Sequence, residues 1–127
     1  MSDDSELILM ALAAREGAYA PYSGIRVGAA LQTGDGAIFT GANVENSSYG
    51  VTICAERVAV AKAVTAGHRG FTVLAVTWNR EGFCRPCGAC RQVLREFGPS
   101  VRVLMANAMG EYEEERLESL LPKAFGK

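Results

Sequence analysis

The sequence predicts an α/β fold in which a mixed sheet carries helices on both faces. Three observations point there. Strand-like and helix-like segments follow one another in the order α, β, β, α, β, α, β and a tail, so two strands alternate with helices after an opening hairpin. Glycine and proline stand where those elements should stop. With 127 residues, 49% hydrophobic and 21% charged, the chain has enough apolar material for one globular core and too little for two. Residues 1–127 accordingly read as a single domain, without an internal repeat, low-complexity tract or linker.

The elements are taken in order. Leu7, Ala11, Ala14 and Ala18 recur at helical spacing behind the acidic Asp3, Asp4 and Glu6, and Pro21 ends that helix. Segments 27–31 and 37–41 read as strands joined by the turn Thr33-Gly34-Asp35-Gly36. Residues 54–66 are rich in Ala, Val, Glu, Arg and Lys and meet Gly67, the residue expected just past a helix end. Segment 73–78 is a buried-type strand. Pro86 suits a helix start, where its missing N–H costs nothing, and that helix reaches about Phe97 before Gly98-Pro99. Segment 101–105 is a further strand. The tail reads as a polar stretch, with Glu111 and Glu113 to Glu115 as a solvated face, and then a short helix over 117–121.

Charge and composition narrow the function classes. The formal net charge is −1, without the basic excess that marks most nucleic-acid binders. No apolar run approaches the roughly 20 residues that span a bilayer. The first residues, Met1-Ser2-Asp3-Asp4-Ser5-Glu6, are acidic where a secretory signal is basic. The expectation is a cytoplasmic protein with no nucleic-acid or membrane partner. In a reducing compartment, clustered cysteines more often bind metal or do chemistry than pair as disulfides.

The cysteines then carry the chemistry. Cys87-Gly88-Ala89-Cys90 is a C-x-x-C on the first turn of a helix, where residues i and i+3 share a face and both sulfurs reach one metal. Cys54 also opens a helix. Positive helix ends lower thiolate pKa values and offset the charge gathered on the sulfurs. Three thiolates leave Zn²⁺ one open position, the layout of a catalytic site, and Glu56 is free to face it. Cys84 makes a fourth cysteine, so a closed Cys₄ structural zinc and a redox dithiol remain as alternatives. Against both stand the acid in Cys54-Ala55-Glu56 and the position of Cys84 on the far side of Pro86. His68, in a loop after Gly67, is given no role.

Cys54-Ala55-Glu56-Arg57 followed by Pro86-Cys87-Gly88-Ala89-Cys90-Arg91-Gln92-Val93 resembles the small homotetrameric zinc-dependent cytidine deaminase family. Ala20-Pro21-Tyr22-Ser23, Val27-Gly28-Ala29-Ala30-Leu31, Asn43-Val44-Glu45-Asn46 and Leu120-Leu121-Pro122-Lys123-Ala124-Phe125-Gly126 look like family segments in family order, so the resemblance runs from about residue 7 to the C-terminus. It implies a three-layer α-β-α fold with a mixed five-stranded sheet. It implies one Zn²⁺ per chain on Cys54, Cys87 and Cys90, and Glu56 as the general acid/base that the zinc deaminases use. The reaction implied is hydrolytic deamination of cytidine and 2′-deoxycytidine through a zinc-bound water, in pyrimidine salvage.

The same resemblance assigns the substrate shell. Asn43 and Glu45 hold the ribose; a buried amide and carboxylate discriminate by being left unpaired when the hydroxyl is missing. Ser47, Tyr49, Ala55 and Ile25 belong to the pocket, and Phe125 is similar to the aromatic that reaches into a neighbouring subunit's site. Arg57 resembles the arginine that hydrogen-bonds the zinc thiolates. Ile25 stands where a phenylalanine is expected and forgoes an aromatic stacking contribution of roughly 0.5–1.5 kcal/mol. Ser47 replaces a common alanine, and Arg85 precedes Pro86 where a small residue is commoner. Blasticidin-type deaminases share Cys-Ala-Glu and Pro-Cys-Gly-x-Cys, but Asn43-Val44-Glu45-Asn46 favours the simple nucleoside. Nucleic-acid editing deaminases usually carry His in place of Cys54 together with a basic groove. A non-catalytic Cys₄ zinc module is the reading from another class.

Overall fold

A computed structural model describes residues 3–126; Met1 and Ser2 of the acidic N-terminus and Lys127 lie outside the described residues. Helix α1 (Asp4–Ala14) is opened by Asp3, whose carboxylate accepts the Glu6 N–H at 2.8 Å. Its α-helical part stops earlier than the spacing of Ala18 suggests. Arg15–Gly17 form a 3₁₀ turn, and Ala18 is buried in extended backbone. The chain turns there because Tyr19 joins the segment after the hairpin, donating its N–H to Asn43 O at 2.9 Å and pairing with Val44.

Strands β1 (Val27–Thr33) and β2 (Ile38–Ala42) form the predicted hairpin, with Gly36 at a positive φ in its turn. Helix α2 (Ala55–Thr65) ends in a Schellman arrangement: Gly67 adopts φ +97°, and the N–H groups of Gly67 and His68 bond Val64 O and Ala63 O. Strand β3 (Phe71–Trp78), helix α3 (Gly88–Phe97), strand β4 (Arg102–Ala106), strand β5 (Tyr112–Arg116) and the short helix α4 (Leu117–Leu120) follow. The sheet order is β2-β1-β3-β4-β5, with β3 and β4 parallel and the other neighbours antiparallel. The mixed five-stranded sheet is thus present.

The fifth strand corrects the reading of 111–115 as a polar stretch. β5 is an edge strand held to β4 by backbone hydrogen bonds, and it buries almost no side chain that would give a strand pattern. Its acids do specific work: Glu113 pairs with Arg85 at 2.7 Å and Glu114 with Arg102 at 2.8 Å. A row of charges also keeps an exposed edge from pairing with other chains.

Alternation along the strands divides the core. Ala30, Val73, Ala75, Leu104 and Ala106 pack with Leu7, Ile8 and Ala11 of α1. Ala29, Leu31, Leu74, Val76, Val103 and Met105 pack on the other face with Ala59 and Ala63 of α2, Leu94 of α3 and Leu117 of α4. This is the three-layer arrangement. Two glycines let the layers approach. A Cβ on Gly28 would stand 2.0 Å from Ala11 O, and one on Gly41 would stand 2.4 Å from Ala55 O.

The pairing also sets where the site lies. Val27 pairs with Trp78 and Gly28 with Ala42, so the ends of β2 and β3 share one end of the sheet. The chain runs from those strand ends into the first turns of α2 and α3, the usual place for a site in an α/β sheet. Gly28→Ala and Gly41→Ala should each lower stability by about 1–3 kcal/mol or more, since backbone must move to admit the methyl. Thermal unfolding measures this; Gly41→Ala should also weaken metal binding, because it displaces the start of α2, and unchanged melting of both variants would contradict the close-approach argument.

Candidate active site

Cys54 and Cys87 are the N-cap residues of α2 and α3, both in extended backbone; the Cys54 side chain makes no capping hydrogen bond to its helix, whereas the Cys87 sulfur caps its own. Cys90 lies one turn into α3 and is fully buried. The sulfurs meet: Cys54 Sγ stands 4.0 Å from Cys87 Sγ, which is 3.4 Å from Cys90 Sγ, and all three lie within 4.8 Å of one another. Sulfurs around a tetrahedral zinc at ~2.3 Å stand about 3.8 Å apart. The donor set therefore fits zinc, with one position left over.

The surroundings are arranged for negative charge. The Cys90 N–H donates to Cys87 Sγ at 3.5 Å, and both helix N-termini point their partial positive charge at the cluster. Arg57 Nη2 donates to Cys54 Sγ at 3.4 Å. A hydrogen bond from Cys90, aided by that guanidinium against the opposing effect of burial, brings the Cys54 thiol down to about 5. Cys90 shifts the other way, because it is the thiol that donates to Cys54 and because it is buried. Hydrogen bonding to Cys54 and Cys90 raises Arg57 in turn, and its buried Nε has no hydrogen-bond partner among the described residues. A guanidinium held this way suits a cluster that carries a net charge of −1 once three thiolates surround a dication.

Glu56 is 4% exposed on the first turn of α2. Burial, reinforced by the neighbouring Cys54, pushes its carboxyl up to about 7, with its own backbone N–H and Arg57 pulling the other way. Cys84 is not part of the cluster. It is 4% exposed within the apolar core, and burial raises its thiol well above the ordinary range. The Cys₄ arrangement therefore does not form.

The other expected site residues fall into groups. Asn43 is buried and uses both ends of its amide on the loop before β1, accepting from Val27 N at 2.8 Å and donating to Ile25 O at 2.8 Å. Glu45 accepts from the N–H groups of Tyr22 and Ser23 and from the Ser23 hydroxyl; the hydroxyl is the main reason its carboxyl is held below the usual range. Tyr22, Ser23, Glu45, Asn46, Tyr49 and Thr52 line a cavity of about 390 Å³. Ala55 spends its methyl in the core, while Ser47 is exposed. Tyr49 and Phe125 are 76% and 87% exposed, so the described residues leave most of both uncovered.

Sequence reasoning missed Asn79. Its amide accepts from Arg26 N and donates to Gly24 O, both at 3.0 Å, so Asn43 and Asn79 together fix one backbone group on each of four consecutive residues, Gly24 to Val27. No local pattern signals this, since Asn79 lies 53 residues from Arg26. His68 is more than solvated: it packs on Phe39 and approaches Asp35 at 3.3 Å.

The family model for the cytidine and deoxycytidylate deaminase zinc-binding region matches residues 1–106. The chain belongs to this family. It is a zinc-dependent hydrolytic deaminase. A cytidine deaminase of Sporosarcina psychrophila is 51% identical over 98% of this chain and 93% of its own length. One from Halalkalibacterium halodurans is 48% identical over 97% of this chain and 94% of its own. The crystal structure of cytidine deaminase from Burkholderia pseudomallei superposes with a TM-score of 0.94 at 49% identity, covering 98% of this chain and 100% of that one. In a deaminase of this family, Cys54→Ala, Cys87→Ala and Cys90→Ala should each lose zinc, against one ion per chain in the wild type. Cys84→Ala should keep it; metal analysis showing zinc loss from Cys84→Ala would reinstate a fourth sulfur ligand.

Proposed function

We propose that the chain converts cytidine and 2′-deoxycytidine, with water, to uridine and 2′-deoxyuridine and ammonia. The observation that carries this reading is a buried carboxylate, Glu56, beside a three-sulfur metal cluster that leaves one coordination position open. Zinc bound there supplies a Lewis acid able to lower the pKa of a water to about 7. The chain's own residues do the rest. Glu56 takes a proton from the attacking water at a carboxylate oxygen and gives it to ring N3 as the water oxygen bonds C4; it then takes the remaining proton from that C4 hydroxyl and delivers it to the amine as the C4–N bond breaks. Its burial makes both directions of transfer accessible near neutral pH. Arg57 holds the Cys54 sulfur as the charge on the ligands changes.

Asn43 and Glu45 hold the ribose in this reading. A carboxylate offers about four acceptor positions, and Glu45 has three taken by Tyr22 and Ser23. One is left for a sugar hydroxyl. Asn43 fixes the Ile25 loop against the base, with Ser47, Tyr49 and the backbone of Ala55 closing the pocket. The three thiols needed as ligands fit a reducing cytoplasm, where the reaction serves pyrimidine salvage; no helix among the described residues is long and apolar enough to cross a membrane.

The assembly proposed is a homotetramer with shared pockets. Bridges set Tyr19, Val44 and Ile53 side by side, and all three are exposed. Tyr22 and Tyr49 meet edge to face at 6.3 Å on the rim of the Glu45 cavity. A contiguous apolar patch beside a site marks a protein interface more often than free surface. Such packing would cover Tyr49 and bring a neighbour's Phe125 to the pocket.

Glu56→Gln should keep the zinc and the fold and lose roughly 10²–10⁴-fold or more in kcat; turnover within a few-fold of wild type, measured by ammonia release from cytidine, would reject the assigned role. Truncation before Phe125 should raise KM for cytidine more than it alters zinc content. Mixing that truncated chain with the Glu56→Gln chain should partly restore affinity, because some hybrid pockets combine an intact Glu56 with a donated Phe125. A fully active monomer by sedimentation at assay concentration would end the shared-pocket reading.

A further inference from the structure

We propose that Arg91 is a positioning residue for the metal ligands: its guanidinium clamps the peptide between Pro86 and Cys87 to the C-terminal segment, and the strength of zinc binding depends on that clamp. Where the Cys87 sulfur sits depends on the orientation of the peptide that precedes it. Pro86 fixes its own φ through its ring but has no N–H, so no backbone donor on that residue can brace the loop. The remaining freedom is the rotation that swings the Pro86 carbonyl. Arg91 Nε donates to that carbonyl at 2.7 Å, and Pro86 itself is fully buried.

The grip is double. The Arg91 backbone N–H bonds Cys87 O at 3.0 Å as the first hydrogen bond of α3. Main chain and side chain of one residue therefore hold the two successive carbonyls on either side of the Cys87 Cα. The other end of the guanidinium, Nη1, donates to Leu120 O at 2.7 Å. Leu120 closes α4, where a carbonyl has no partner within the helix. The planar fork thus joins the carbonyl of the buried Pro86 to that of the partly buried Leu120, which lies 29 residues beyond Arg91. A lysine carries one point charge on a flexible stem and cannot hold both in fixed geometry. Next along the helix, Gln92 Nε2 donates to Phe125 O at 2.9 Å, a hydrogen bond to the tail.

The test is zinc affinity by chelator competition on Arg91→Ala, Arg91→Lys and Gln92→Ala, with the absorption of the cobalt-substituted proteins as a report on thiolate geometry. Groups that orient metal ligands typically contribute about 10–100-fold to metal affinity. Arg91→Ala should bind zinc weaker by that order and shift the cobalt spectrum while its circular dichroism stays native. Arg91→Lys should fall between it and the wild type. Gln92→Ala should bind zinc as the wild type does. Wild-type affinity in Arg91→Ala, or an equal loss in Gln92→Ala, would overturn the proposal. If Arg91→Ala does not fold, Arg91→Lys decides: wild-type zinc affinity and an unshifted cobalt spectrum overturn it. The proposal rests on the cluster being the zinc site. Wild-type protein that bound no zinc would defeat that assignment, whereas normal wild-type binding with unaltered Arg91 variants defeats the clamp alone.

Discussion

Three sulfurs that must all be ionised stand within 4.8 Å of one another. Like charges at that separation repel strongly in a poorly screened site, and much of the architecture answers that repulsion. Two helices begin at the cluster and turn their positive ends to it. A guanidinium from the first of them bonds Cys54, and a backbone N–H of the second bonds Cys87. A dication completes the balance. The hydrogen bond from Cys90 and the Arg57 guanidinium both draw the Cys54 thiol below its ordinary range.

Bringing two helix starts to one point requires a sheet that ends both preceding strands on the same side. The antiparallel pairings of β1 with β2 and with β3 do this. Close packing completes the placement, because Gly41 lets the first turn of α2 settle on β2 with backbone almost in contact. Glu56 is carried into the interior by that approach, beside the sulfurs but not among them. The same packing that withdraws Glu56 from water lifts its pKa, and the neighbouring Cys54 adds to that rise.

The remaining pocket is less enclosed. The loop carrying Ile25 is fixed from two sides by Asn43 and Asn79, and Glu45 ties Tyr22 and Ser23 to the segment after β2. Those contacts order one wall of the cavity. Tyr49 and Phe125 stay in solvent within one chain. A nucleoside needs most of its surface covered, and this open side is what the proposed assembly would close.

The candidate site was written locally, so the sequence placed its residues at two helix starts. Cys54, Glu56, Cys87 and Cys90 stand at helix starts, where spacing along the chain fixes which side chains share a face. The four strands read from apolar runs, the hairpin turn and the Gly67 helix end follow from residues a few positions apart. What tertiary structure alone decided involves partners far along the chain. β5 was hidden because an edge strand is held by backbone hydrogen bonds that leave no side-chain pattern. The early end of α1 depends on Tyr19 meeting Asn43, and the exclusion of Cys84 depends on a core that buries it. Asn79 holds Gly24 and Arg26, and Arg91 holds Leu120, through side-chain bonds to backbone. Backbone acceptors are the same at every residue, so no sequence pattern names the one that a side chain will find; only the folded chain brings them within reach.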